Sequence, residues 1–274
     1  MKLGAVEYMT KRANDLATFR AAKRAGLKGI EPMVTRNELL SPGQERLKGL
    51  KEAQRKTGLA VTSLMLSEHN FERGVAMSDP AQVLAAYEDI RKAVDWAVEL
   101  GAGVILVPFF GPAELSTKED FERAVRGFQG ICPYALAKGV KLGYEGTYSA
   151  AEIRQLAKRV GSEAFGCYFD VGNVVWRGMD TATEVRGLRG LIVQVHMKDT
   201  QVGPSDVQMG QGRVNYPETV KALREVGFDG WVVLESRPYP DSPDTPPPPP
   251  AAVAYDVKFT RSWLPELDHH LNLS

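Results

Sequence analysis

A single (β/α)8 barrel is the fold class this sequence predicts. Three observations carry the expectation: eight short, β-rich apolar runs alternate with amphipathic helical stretches, a helix closing on glycine repeatedly precedes a run, and 274 residues suit one barrel. Residues 1–274 are read as one domain. An open doubly wound sheet shares the alternation. Its dinucleotide-binding form, however, carries a Gly-rich turn after the first strand, and here that strand runs into EYMTKRAND.

The eight expected strands are Leu3–Met9, Gly29–Pro32, Ala60–Leu66, Gly103–Pro108, Lys141–Tyr144, Gly166–Phe169, Leu191–Val195 and Trp231–Leu234. The punctuation is visible in RAGLKGIE, KTGLAVTSL, ELGAGVILV, AKGVKLGYE and EVGFDGWVVLE, where glycine suits the positive φ that often ends a helix. Helices are expected at Leu16–Ala25, Gly43–Lys56, Asp79–Leu100, Lys118–Ala137, Ala150–Arg159, Thr181–Leu188, Pro217–Val226 and Ala251–Trp263. The stretch Asp79–Leu100 is the clearest: Val83, Ala86, Tyr87, Ile90, Val94, Ala97 and Val98 form one stripe, with Ser78 or Asp79 as cap and Pro80 in the first turn. The segment 238–250, PYPDSPDTPPPPP, should be extended and semi-rigid. Only about 24 residues follow it, too few for a core of their own, so it is read as a long last loop before the final helix.

Lys+Arg and Asp+Glu are equal at 34 each, and this balance argues against nucleic acid, whose binders carry a basic stripe. A small-molecule partner fits better. No run approaches the roughly 18 apolar residues of a membrane span, and MKLGAVEYMTKR lacks the apolar core of a signal peptide, so a cytoplasmic protein is expected. Cys132 and Cys167 lie in apolar surroundings and read as buried free thiols.

In a parallel barrel the residue that breaks each apolar run at its C-terminal end faces the mouth. Four successive runs end on metal-type ligands: Glu145 in LGYEGT, Asp170 in CYFDVGN, His196 in VQVHMKD and Glu235 in VVLES. Each interval leaves room for a helix and a returning strand, so all four should point at one place. Three carboxylates and an imidazole suit one divalent ion with open positions for substrate oxygens: Mn²⁺, Mg²⁺ or Co²⁺, with Zn²⁺ also compatible.

The order FDVGN, VHMKDT, GQGRVNY and WVVLES, with Glu145 upstream, resembles the xylose isomerase-like barrels, in the sugar phosphate isomerase/epimerase branch that includes the ketose 3-epimerases. The resemblance implies a metal held by Glu145, Asp170, His196 and Glu235, with Glu145 and Glu235 also moving the proton. It implies isomerisation or epimerisation of a small sugar or sugar phosphate through a cis-enediolate, and a homodimer or homotetramer. Arg213 resembles the arginine that holds substrate oxygens, and Lys198 in HMKD either contacts substrate or braces its loop with Asp199. Two departures bear on the substrate. Asn173 stands where the hexulose 3-epimerases have a substrate-binding histidine, and GTYS after Glu145 lacks their second glutamate; DVGN and HMKD look more like the phosphosugar or uncharacterised members.

Glu7, Tyr8, Glu31, His69, Phe109 and Phe110, at the ends of the first four strands, are candidates for the opposite wall of the pocket. Tyr8 would bond substrate, His69 would be a pocket hydrogen-bonder or a surface histidine, and Phe109 and Phe110 would either stack on a sugar's apolar face or simply pack. Other readings of the same site are a lyase of the inosose- or dehydroshikimate-dehydratase type, an abasic-site endonuclease relative, and a sugar-binding barrel without turnover. The endonucleases bind three zinc ions through several histidines, whereas this chain offers His69, His196, His269 and His270.

Overall fold

The computed structural model describes residues 1–71, 74–236 and 248–264. Strands β1 (Lys2–Val6), β2 (Gly29–Glu31), β3 (Ala60–Val61), β4 (Leu64–Met65), β5 (Val104–Pro108), β6 (Lys141–Glu145), β7 (Phe165–Asp170), β8 (Ile192–Met197) and β9 (Trp231–Leu234) form one parallel sheet in the order β3-β2-β1-β9-β8-β7-β6-β5-β4. Helices α1 (Asp15–Arg24), α2 (Arg36–Leu40), α3 (Glu45–Thr57), α4 (Pro80–Leu100), α5 (Lys118–Ala137), α6 (Ala150–Val160), α7 (Val171–Trp176), α8 (Thr181–Gly187), α9 (Tyr216–Glu225) and α10 (Pro250–Trp263) accompany it. The proline-rich stretch 237–247 and the tail bearing His269 and His270 lie outside the described residues. No described helix is long and apolar enough to cross a membrane.

The expected run Ala60–Leu66 is two strands, not one. It breaks at Thr62 and Ser63; β3 pairs with β2, while β4 pairs with β5. Because both ends of the strand order belong to one short stretch of chain, the sheet curls into a nearly closed barrel. A bridge between Met33 and Met65 and the bond from Thr62 N to Ile30 O (2.9 Å) stitch the break. The first run is also shorter than expected: it ends at Val6, and Glu7–Met9 form a 3-10 turn. Two short helices went unpredicted, α2 and α7.

The helix starts have clear local causes. Thr117 and Ser149 open α5 and α6 with reciprocal capping boxes to Asp120 and Glu152, and Asp79 caps α4 by accepting from Ala81 N. The five punctuating glycines, Gly26, Gly58, Gly101, Gly139 and Gly227, all have positive φ, between 70° and 86°, a conformation in which a β-carbon is strained.

Strand alternation divides the apolar side chains into two layers. Val6, Met65, Val104, Leu106, Tyr168 and Val233 fill the barrel interior. Ile105, Val107, Phe109, Leu142, Tyr144 and Phe169 pack outward with the helices. Cys132 and Cys167 are buried free thiols, as expected.

One buried charge sits in the last helix. Asp256 on α10 is 2% exposed and its Oδ1 has no hydrogen-bond partner among the described residues; burial pushes its carboxyl up to about 6. A carboxyl whose pKa rises on folding stabilises the fold below its unfolded value, near 4, and loses that contribution as pH rises through about 6. Asp256→Asn should therefore raise Tm at pH 8 by about 3 °C, the gain fading by pH 4. Calorimetry at the two pH values checks both the sign and the fading.

Candidate metal centre

Adjacent strands deliver the four predicted ligands to one point. Glu145 is the last residue of β6, Asp170 the last of β7, His196 the last but one of β8, and Glu235 follows β9 directly. Register makes them meet: Asp170 pairs with His196, His196 with Val233 and Met197 with Leu234, and Glu235 N then bonds Met197 O at 3.0 Å. One ligand atom from each of the four residues lies within 4.8 Å of the other three. His196 Nδ1 is 3.1 Å from Glu145 Oε1, 3.1 Å from Glu235 Oε2 and 3.7 Å from Asp170 Oδ2. Donors bonded at about 2.0–2.3 Å to a shared ion are themselves about 3–4.5 Å apart, so this spacing fits a divalent cation.

The cluster is buried and strongly polarised. Glu145 is 5% exposed, Asp170 4% and His196 fully buried. Burial pushes the Glu145 carboxyl up to about 7, against the pull of His196. Burial acts on Glu235 in the same direction, but the charges of His196 and Lys198 beside it reverse the effect and hold it well below the usual range. Asp170 Oδ1 caps α7 by accepting from Asn173 N at 2.8 Å, which turns Oδ2 toward the cluster. That oxygen is buried, with Lys198 Nζ 2.9 Å and His196 Nδ1 3.7 Å away.

Lys198 is part of the cluster, a role its sequence position left open. Its Nζ donates to Glu235 Oε2 at 2.8 Å and lies 2.9 Å from Asp170 Oδ2, an ion pair without hydrogen-bond alignment. The stem reaches there across Gly172: a β-carbon at that glycine would come within 2.5 Å of Lys198 Cγ. The glycine of DVGN thus makes room for the lysine of HMKD. With a dication bound, Lys198 neutralises the negative charge left over from three carboxylates.

Asp199 braces the neighbouring loop. Its two oxygens accept from the backbone N–H groups of Thr200, Gly210, Gly212 and Val214 at 2.8 to 3.2 Å. Arg213 belongs to that loop; its N–H bonds Thr200 O at 2.9 Å and its side chain is exposed, with no contact to the four ligands. Asn173 is buried one turn after Asp170.

The first four strands contribute differently from expectation. Tyr8 donates its hydroxyl to Glu235 O at 3.0 Å and so holds the backbone of a ligand. Glu7 pairs with Arg46. His69 is 2% exposed and turns to Asp89 of α4, 3.4 Å away, rather than to the cluster. Phe109 stands in the outer layer, its ring 5.0 Å from Tyr144 and 5.7 Å from Phe128, because Val104 and Leu106 take the inward positions of β5. Phe110 is half-buried and its N–H bonds Asn70 Oδ1. Glu31 is completely buried and lies against His196, Nε2 to Oε2 2.9 Å.

The chain is a parallel barrel with acidic and imidazole side chains on four successive strand tips, and its family can be named. The sequence model described as xylose isomerase-like TIM barrel matches residues 19–263, and the chain belongs to that family. Among relatives, L-ribulose-5-phosphate 3-epimerase UlaE of Shigella flexneri is 28% identical over 233 residues, 80% of this chain and 81% of that one. A 2-epi-5-epi-valiolone 7-phosphate 2-epimerase of Actinoplanes sp. is 33% identical over 138 residues, 49% of this chain and only about half, 51%, of that protein. Among solved structures, the 3-keto-D-glucoside 4-epimerase YcjR of E. coli has a TM-score of 0.77 at 20% identity, covering 96% of this chain and 99% of that one. An L-ribulose 3-epimerase has a TM-score of 0.79 at 16% identity, covering 99% and 97%. These two show likeness of fold.

The loop brace gives a direct prediction. Asp199→Ala strands several backbone N–H groups at once and should cost roughly 3 kcal/mol or more, with the largest gain in amide exchange at Thr200 and in residues 210–214. Unchanged exchange there would remove Asp199 from this role.

Proposed function

We propose that the protein is a divalent-metal-dependent epimerase or isomerase of a small sugar phosphate. The observation that carries the reading is the convergence of Glu145, Asp170, His196 and Glu235 on one buried point, two of them glutamates able to exchange protons. The named relatives support the class, since UlaE and the valiolone enzyme are both epimerases of phosphorylated polyols or ketoses by name.

All four side chains would hold the ion, with His196 offering Nδ1. A bound divalent cation supplies Lewis acidity: it draws electron density from a carbonyl and its neighbouring hydroxyl and makes the C–H between them acidic. The rest is the work of this chain. Glu145 and Glu235 reach the site from β6 and β9, flanking the strands that carry Asp170 and His196, so a planar substrate lying over the cluster meets a carboxylate from either side. One takes the proton and the other returns it, which inverts the carbon; a single carboxylate serving two carbons would instead isomerise the sugar. Lys198 keeps Glu235 ionised and fixed. Burial of the ligands excludes water from the proton's path. Arg213, exposed on the loop that Asp199 braces, is the candidate for a phosphate or hydroxyl outside the cluster, and Asn173 for a hydroxyl beside it.

Incubation in deuterium oxide with Mn²⁺ and a panel of ketoses and ketose phosphates tests this. We expect metal-dependent exchange of the proton next to the carbonyl, favouring phosphates, lost with EDTA, and lowered about 10²- to 10⁴-fold in Glu145→Gln and in Glu235→Gln. No exchange on any member of the panel would contradict the assignment.

A further inference from the structure

We propose that Glu31 is a positioning residue that fixes the ring of His196, and that Tyr168, backed by Gln194 and Ser63, fixes Glu31 in turn. The inference rests on the reading of the cluster as a metal site. It concerns residues outside the four ligands.

An imidazole binds a metal through one nitrogen, and what the other nitrogen bonds decides which one is free. In His196 the division is clear. Nδ1 faces Glu145, Asp170 and Glu235, while Nε2 lies 2.9 Å from Glu31 Oε2. Oε2 of Glu31 also accepts from Tyr168, so Nε2 is the donor toward it, and the lone pair on Nδ1 would then point into the cluster.

Glu31 is held from below by a column of hydrogen bonds through the barrel interior. Tyr168 donates its hydroxyl to the same Glu31 Oε2, and its ring packs on His196 with centroids 4.5 Å apart. Having given its one proton to Glu31, the hydroxyl accepts from Gln194 Nε2 at 2.8 Å, and that amide also reaches Ser63 Oγ at 2.6 Å. Ser63 in turn lies 3.1 Å from Thr62 Oγ1. Strand alternation builds the column: Tyr168 is two residues before Asp170 on β7, and Gln194 two residues before His196 on β8, so each lies on its ligand's face one layer deeper. The break between β3 and β4 admits Thr62 and Ser63 to the interior. Room for Thr62 comes from Gly4 and Gly29, where a β-carbon would come within 2.9 Å and 2.6 Å of its Cγ2.

A purely structural role fits Glu31 poorly. Its other oxygen, Oε1, is buried without a partner among the described residues, a costly arrangement for a carboxylate that only packs. Neutral glutamine has the same shape and would avoid burying a charge there. Its amide, however, has one acceptor oxygen and one donor nitrogen, so Nε2 loses its charged partner, and the end that faces the ring is no longer obliged to be an acceptor.

The test is Mn²⁺ binding by titration calorimetry, with the thermal midpoint of the metal-free proteins measured alongside. Glu31→Gln should raise Kd about 10- to 100-fold, the range seen when an outer partner of a metal-bound histidine is lost, without lowering the metal-free midpoint. Tyr168→Phe should weaken binding less, by up to about 10-fold, and the double variant should bind no more weakly than Glu31→Gln alone, because Tyr168 acts through Glu31. Wild-type affinity in a folded Glu31→Gln overturns the proposal and leaves the metal site standing. If that variant does not fold, wild-type affinity in Tyr168→Phe overturns it instead. A wild-type protein that takes up no Mn²⁺ overturns the metal reading and this inference together.

Discussion

Three carboxylates buried around one imidazole repel one another, and the fold must hold them together against that repulsion. A (β/α)8 barrel does so by geometry: parallel strands in fixed register end at a common rim, so residues far apart in the chain arrive as neighbours. Two cationic groups oppose the repulsion, His196 at the centre and Lys198 between Asp170 and Glu235. The surrounding arrangement follows from keeping these groups in place. Gly172 clears the path of the lysine, Asp199 ties down the loop after it, and α7 starts where it does because Asp170 caps it.

The unequal surroundings of Glu145 and Glu235 have the same origin. Glu145 is buried and Glu235 half-buried, and only Glu235 has the ammonium of Lys198 against it. Two glutamates of identical chemistry thus acquire different proton affinities from one neighbour's position, the pattern by which paired carboxylates come to differ in role.

Much of this was legible in the sequence, and the reasons differ by residue. The four side chains of the cluster could be picked out because each is the polar residue that ends an apolar run, and several of the runs could be found because glycine marks the helix ends before them. Phe109 stays between stacking and packing in the sequence because the strand's phase cannot be read from VILVPFF, in which both faces are apolar; in the fold Val104 and Leu106 turn inward and Phe109 packs in the outer layer. The break at Thr62 and Ser63 is hidden in AVTSLML, since both residues are acceptable in a strand and only pairing with two different neighbours reveals it. Helix α7 escaped because DVGNVVW is rich in β-branched residues, which tertiary packing overrides. Glu31 was visible as a polar strand end, but its partner lies 165 residues away and no local pattern joins them.

The account depends on the four side chains sharing one cation. Anomalous diffraction from crystals grown with Mn²⁺ measures this directly. A single strong peak is expected, bonded by Glu145, Asp170, Nδ1 of His196 and Glu235 at about 2.0–2.3 Å. A peak elsewhere, or none at this point with Lys198 Nζ still seated between the carboxylates, would contradict it.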